Sequence, residues 1–144
     1  MTTVADIPLP ARAHVPGSGS APDLAPLELA KSLAPPETRS DHWQDNAAYL
    51  YGHRLLEAGF YWEAHEVWEA VWMNCRPNST EKVLLQALIQ QANARLKRNM
   101  GKVNAAGRLD SMVDGLRHEV CARLDGQRHF MGVCVAKPNM HFNA

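Results

Sequence analysis

A histidine and three glutamates share the segment 61–72, and their spacing suits acid–base chemistry or metal binding. His65 and Glu69 are four residues apart, so on a helix their side chains meet and the carboxylate can orient the imidazole ring. Glu66 falls at the edge of the same face, whereas Glu63 points almost to the opposite side and is expected to face water. The spacing therefore predicts a polar site at His65 and Glu69, with Glu66 beside them.

The helix face that carries His65 is also strongly aromatic. Within about 60° of His65 on a helical wheel lie Tyr61, Trp62, Trp68, Glu69 and Trp72. Such a face is expected to pack against other helices, so a histidine or carboxylate on it needs hydrogen-bond partners, a metal or a ligand. We expect Trp62, Trp68 and Trp72 to line the polar site, although tryptophans at helical spacing form core more often than ligand pockets.

Partners for the polar pair are expected on a later helix, where a stripe of uncharged amides runs beside an apolar stripe. The amide stripe consists of Gln86, Gln90 and Asn93 and ends at Lys97. Glutamine amides both donate and accept, so they can satisfy a buried histidine and glutamate together. The preferred hypothesis is a buried polar cluster in a binding or interaction module. Its members are His65, Glu66, Glu69, Gln86 and Gln90, with the three tryptophans and Asn93 lining the pocket.

A metal-dependent hydrolase is the first alternative. The string 65–69, His-Glu-Val-Trp-Glu, is similar to a zinc-protease helix in which glutamate replaces the second histidine. The hydrolase would use His65, Glu66 and Glu69, with His65 and Glu69 as ligands of a divalent cation. His53 and His118 are further candidate ligands. No nucleophile is placed beside His65, so no catalytic residue is assigned and enzymatic activity stays open.

Nucleic-acid binding is the second alternative, and the sequence argues against it. A basic patch is predicted near the junction of two helices, formed by Arg95, Lys97, Arg98, Lys102 and Arg108. The formal net charge is zero and the isoelectric point is near 7.1. Cations at a helix C-terminus also complement the helix dipole. We therefore expect no nucleic-acid partner.

Helical periodicity begins at about residue 40 and predicts an all-α fold. We predict helix A over 40–58, helix B over 61–74, helix C from a cap at Asn78 or Ser79 to Met100, and helix D over 103–124. Short connections favour a compact array of three to four antiparallel helices. The predicted organisation is a Pro/Gly-rich extended arm over 1–39, a helical domain over 40–126 and a tail over 127–144, in which the apolar run 130–136 can pack back.

Composition and length predict one small globular domain. The chain has 144 residues, 46% of them hydrophobic and 21% charged, and no apolar run long enough to span a bilayer. Residues 1–10 lack the features of a signal peptide, and the three cysteines form no paired motif, so a cytoplasmic location with reduced thiols is expected. Acidic residues dominate 1–77 and basic residues 78–144, which suits packing of the two halves, and a homodimer stays open.

Three motifs together resemble the domain of unknown function 309 family. They are the segment 61–72, the helix C segment 84–90 and Met100-Gly101 before an Ala/Arg/Leu helix, and the resemblance spans roughly 43–116. It implies a small cytosolic helical domain found mainly in bacteria and archaea. It implies matches at Ala64, His65, Glu66, Glu69 and Trp72 and at Gln86 and Gln90, without naming a reaction.

Overall fold

Four consecutive helices, each packed against the next, form the centre of the computed structural model, which describes residues 3–143. The α-helices are α1 (Ala25–Ser32), α2 (Ala47–Glu57), α3 (Tyr61–Met73), α4 (Thr80–Asn99) and α5 (Val103–Arg123), with 3-10 helices at Val4–Asp6 and Ser40–Asp45. The predicted all-α fold is confirmed. Met1 and Thr2 of the predicted arm and Ala144 of the predicted tail lie outside the described residues.

Helix α2 begins later than predicted for helix A. Residues Ser40–Asp45 form a 3-10 helix, and the backbone of Asn46 is extended between the two helices. The Asn46 side chain accepts a hydrogen bond from the backbone N–H of Tyr49, which satisfies one free donor at the new helix start. Ser79 caps α4 in the same way, by accepting from the N–H of Lys82.

The centre of the core lies where α2 and α3 cross beside Trp68. The Trp68 side chain is fully buried, and its indole N–H donates to the backbone oxygen of Tyr49 at 3.1 Å. The indole lies against the Cα atom of Gly52, where any Cβ atom would overlap the ring. Glycine at position 52 therefore sets how closely α2 and α3 approach.

The N-terminal arm packs on the helices and contributes to the core. Ile7 is fully buried, and the guanidinium group of Arg54 donates to its backbone oxygen at 2.6 Å. The hydroxyl of Tyr51 donates to the backbone oxygen of Pro8 at 2.7 Å. Leu27 of α1 is also fully buried. Proline keeps this segment extended without excluding it from the core, because side chains of α2 bind its free carbonyl groups.

The C-terminal tail folds into a small antiparallel sheet of three strands, β1 (His129–Phe130), β2 (Val133–Cys134) and β3 (His141–Phe142). Phe130 pairs with Val133, and Val133 pairs with Phe142. The hydroxyl of Tyr49 donates to the backbone oxygen of Met131 at 2.7 Å, which joins the sheet to α2. The tail therefore packs against α2, and it also bonds to Gln91 of α4 and Arg117 of α5. Among the described residues, no helix combines the length and apolar character needed to cross a membrane.

Candidate functional site

The described structure brings together His65, Glu66 and Glu69 on the outer side of α3. One nitrogen or oxygen atom from each residue lies within 4.8 Å of the other two. The His65 Nε2 atom is 3.3 Å from a Glu69 carboxylate oxygen and 3.4 Å from one of Glu66. We call these three residues the α3 cluster.

The second ring nitrogen of His65 is held by the backbone. The Nδ1 atom lies 2.6 Å from the backbone oxygen of Trp62. A carbonyl oxygen can only accept, so Nδ1 carries the hydrogen in this contact. In the neutral ring the lone pair of Nε2 then faces the two carboxylates. Three acceptors directed at one point repel one another unless a proton or a metal ion lies between them.

Lys31 of α1 neutralises part of the acidic charge. Its Nζ atom lies 3.4 Å from the Glu66 oxygen that faces away from His65 and 3.9 Å from a Glu28 oxygen. This contact holds the Glu66 carboxylate so that its other oxygen faces His65. The His65 side chain is 17% exposed and the Glu69 side chain 51%. The α3 cluster is therefore open to solvent on one side and is not the buried site predicted from the sequence.

The glutamines of α4 are not part of the α3 cluster, which corrects the predicted His/Glu/Gln cluster. Gln86 is exposed and lines a groove between α4 and α5. Gln90 accepts a hydrogen bond from Asn93 at 3.3 Å, so both residues belong to a separate contact within α4. Helix α4 uses its apolar residues, such as Leu88, for burial in the core, so its amide stripe is turned away from His65.

Of the three tryptophans predicted to line the site, only Trp62 is in ring contact with His65, at a centroid distance of 5.9 Å. Trp68 lies in the core beside Gly52, as described above. Trp72 is half-buried, and the Lys82 ammonium group lies 4.3 Å from its ring centroid. A helical wheel groups residues by angle, but the three rings extend along about three turns and contact different neighbours.

Glu63 is fully buried, although the sequence predicted it to face water. The backbone N–H of His14 donates to one Glu63 oxygen at 2.8 Å, and the other oxygen has no partner among residues 3–143. Burial raises the pKa of the Glu63 carboxyl. The prediction was wrong because the N-terminal arm covers this second face of α3. The apolar residues that lie between the prolines of the arm could have indicated that the arm packs on the helices.

His53 and His118 do not join the α3 cluster as further ligands. The His53 ring stacks on Phe142 at 4.0 Å and meets the Trp68 ring edge-on at 4.9 Å. Burial lowers the pKa of His53 to about 3, so the ring is neutral, and its Nε2 atom has no partner in the described part of the chain. His118 lies on α5, with Nδ1 3.7 Å from Asp114.

The α3 cluster lies in a segment that matches a known protein family. Residues 49–109 match the family model described as Domain of unknown function (DUF309). The matched segment resembles that family. The predicted family resemblance is confirmed, and the match covers less than half of the chain. No curated protein and no solved structure matches the chain.

The DUF309 segment contains the whole α3 cluster, all of α4 and most of α2. The contacts of the arm and the tail with this segment, through Glu63 and Tyr49 for example, come from outside the matched range. The DUF309 match names no ligand or reaction.

Proposed function

We propose that this protein is a binding module for a divalent metal ion, held by His65, Glu66 and Glu69. The observation that carries the proposal is the hydrogen bond from His65 Nδ1–H to the backbone oxygen of Trp62, which directs Nε2 at two carboxylates. Metal-binding histidines in proteins usually donate their second ring N–H to a carbonyl or carboxylate in this way.

The distances also fit a metal site. Bonds of about 2.0–2.1 Å to zinc in a tetrahedral arrangement place neighbouring ligand atoms about 3.3–3.4 Å apart. The two distances from His65 Nε2 to the glutamate oxygens are 3.3 and 3.4 Å. Small rotations of the half-exposed Glu69 side chain can bring the third pair of ligand atoms closer. A nitrogen with two carboxylate oxygens is a ligand set that zinc and similar ions accept.

Binding is favoured over hydrolysis because the α3 cluster has no group left to act as a base. If Glu66 and Glu69 both bind the ion, no third carboxylate lies within the cluster in the described chain. Glu63 is engaged with the arm, and His53 is buried beside Phe142. A metal hydrolase needs an open coordination position together with a base that activates water.

Elemental analysis and calorimetry test the proposal. Protein purified without chelators is expected to bind about one equivalent of Zn²⁺ or Mn²⁺ and to become more stable to heat, by about 2.7 kcal/mol at a hundredfold excess over Kd. Substitution His65→Asn is expected to abolish the binding, and Glu69→Gln to weaken it strongly. Matched controls are His42→Asn and Glu57→Gln, since both residues are exposed and lie outside the α3 cluster.

Binding of less than about 0.1 equivalent, with no rise in stability on metal addition, would contradict the metal site. Equal loss of binding in His42→Asn and His65→Asn would show that the metal binds at scattered histidines. In either case a proton on His65 Nε2 would be the group that separates the two carboxylates, and the α3 cluster would be a structural ion pair.

A further inference from the structure

A cleft of about 470 Å³ lies between α4, α5 and the tail, and it shares no residue with the α3 cluster. Its size falls within the usual range for small-molecule sites. Three arginines and two aspartates line it, together with the side chain of Asn139. The five charged residues are Arg95, Arg98, Asp110, Asp114 and Arg117. We infer that this cleft binds a small anion, with the guanidinium group of Arg95 as its anchor.

Two of the three arginines are already neutralised. Arg98 donates to Asp110 at 2.7 Å. Arg117 donates to Asp114 through two nitrogens, at 2.7 and 3.2 Å, and also to the backbone oxygen of Val135. Both aspartates are therefore paired with a cation. One positive charge in the cleft remains without a carboxylate.

That charge belongs to Arg95. Its guanidinium group makes no hydrogen bond or ion pair with any residue from 3 to 143, although the residue is half-buried. A guanidinium group presents five N–H donors in a plane and binds carboxylate or phosphate groups with two parallel hydrogen bonds. A partly buried arginine with free donors is thus suited to an anionic group from solution.

A second observation points to a ligand at the same place. A smaller cavity of about 50 Å³ adjoins the cleft, since Gln91 and Arg95 line both spaces. His53 also lines the small cavity, and its Nε2 atom is buried without a partner among the described residues. A neutral imidazole can donate through this nitrogen. One ligand oxygen or one ordered water fits a cavity of this size and would satisfy His53.

A small anion fits this cleft better than a nucleic acid. Of the five residues in the basic patch predicted from the sequence, only Arg95 and Arg98 line the cleft, and Arg98 is paired. The two aspartates at its wall would repel a chain of phosphates. One unpaired guanidinium group suits one carboxylate or one phosphate group.

Nuclear magnetic resonance titration with sodium phosphate and with sodium acetate tests the inference, at ionic strength held constant with sodium chloride. The Nε–H signal of Arg95 is expected to shift and saturate with at least one of the two anions. Saturation with phosphate alone identifies a phosphate-bearing ligand, and saturation with acetate identifies a carboxylate. A linear shift with both anions, or the same shift with chloride, would overturn the inference.

Variants locate the binding. Because substitution removes the Arg95 signal, binding to each variant is followed on the side-chain amide signals of Asn139, which lines the cleft. Arg95→Gln is expected to weaken it at least about tenfold, because charge-assisted hydrogen bonds are lost. Arg95→Lys keeps the charge without the planar donors and is expected to weaken binding several-fold. The control Arg108→Gln removes an exposed charge from the same basic patch but outside the cleft. Equal weakening by Arg108→Gln and Arg95→Gln would show a diffuse charge effect and contradict the site.

Discussion

His53 and His65 lie twelve residues apart on successive helices, yet their surroundings differ in almost every respect. His53 is 3% exposed, surrounded by the rings of Tyr49, Trp68 and Phe142, and has no carboxylate partner in the described chain. His65 lies at the surface with two carboxylates at its Nε2 atom. Burial keeps one ring neutral, whereas the other ring has two carboxylates beside its Nε2 atom.

The neighbours of each histidine decide its chemistry. Phe142 stacks on the His53 ring, and the rings of Tyr49 and Trp68 meet it edge-on. The α3 cluster around His65 has two carboxylates, a fixed ring and access to solvent. We therefore expect the first region to respond to packing and pH, and the second to respond to metal ions.

Substitution Gly52→Ala should have the largest effect, because it breaks the packing beside His53. The added Cβ atom would overlap the Trp68 indole, so α2 and α3 must separate. We expect a loss of about 3 kcal/mol or more in the free energy of unfolding, measured by urea denaturation. The control Gly115→Ala, on an exposed part of α5 with open space around it, should raise stability by about 0.5–1 kcal/mol. Similar effects from both substitutions would contradict the close contact.

The pH dependence of stability should report the buried state of His53. Its pKa is lowered from the ordinary value of 6.5 to about 3, so the unfolded chain binds a proton that the folded chain does not. This contribution to stability is present above pH 6.5 and is lost as the pH falls towards 3. Between pH 6 and pH 4 we expect a loss of about 2–3 kcal/mol.

The variant His53→Gln should remove that part of the pH dependence, whatever its own cost in stability. Substitution of the exposed His42 to Gln serves as the control and should leave the slope unchanged. Equal slopes for wild type and His53→Gln would show that His53 is not the group responsible. The two variants together sharpen the contrast between a buried and an exposed imidazole.

Glu63 tests how burial changes the titration of a side chain on α3 itself. We expect the smallest effect on the free energy of unfolding here. Burial raises its pKa, so ionisation of the unfolded chain lowers stability as the pH rises through about 4.5. Glu63→Gln keeps the acceptor for His14 N–H and should be at least as stable as wild type at pH 7, with the difference shrinking as the pH falls below 4.5. Urea denaturation at pH 4 and pH 7 measures this. A variant that is less stable at pH 7 than at pH 4, relative to wild type, would contradict the assignment.

The sequence was sufficient for the helices and for the pair His65 and Glu69, because both depend on local spacing. Periodicity predicted α3, α4 and α5 within a few residues, and i,i+4 geometry placed Glu69 beside His65. The periodicity did not show which side of each helix other segments of the chain would cover. The burial of Glu63 depends on the N-terminal arm, and contacts between distant segments leave no periodic signal.

The glutamines of α4 are a second case in which the sequence did not show what a helix face contacts. Their stripe was correctly spaced, but which side of α4 faces α3 is set by the larger apolar residues around Leu88. The rotation of one helix against another follows from side-chain packing across the interface. A pattern within one helix therefore cannot identify its partner on another.

In the proposed function, Nε2 of His65 binds a divalent metal ion together with Glu66 and Glu69. A crystal structure of protein grown with Zn²⁺, with anomalous scattering recorded at the zinc edge, tests this most directly. We predict one strong peak about 2.0–2.1 Å from His65 Nε2 and within bonding distance of both glutamates, with the Nδ1 contact to Trp62 retained. A map with no peak at His65, or with zinc only at exposed histidines such as His42, would contradict the claim.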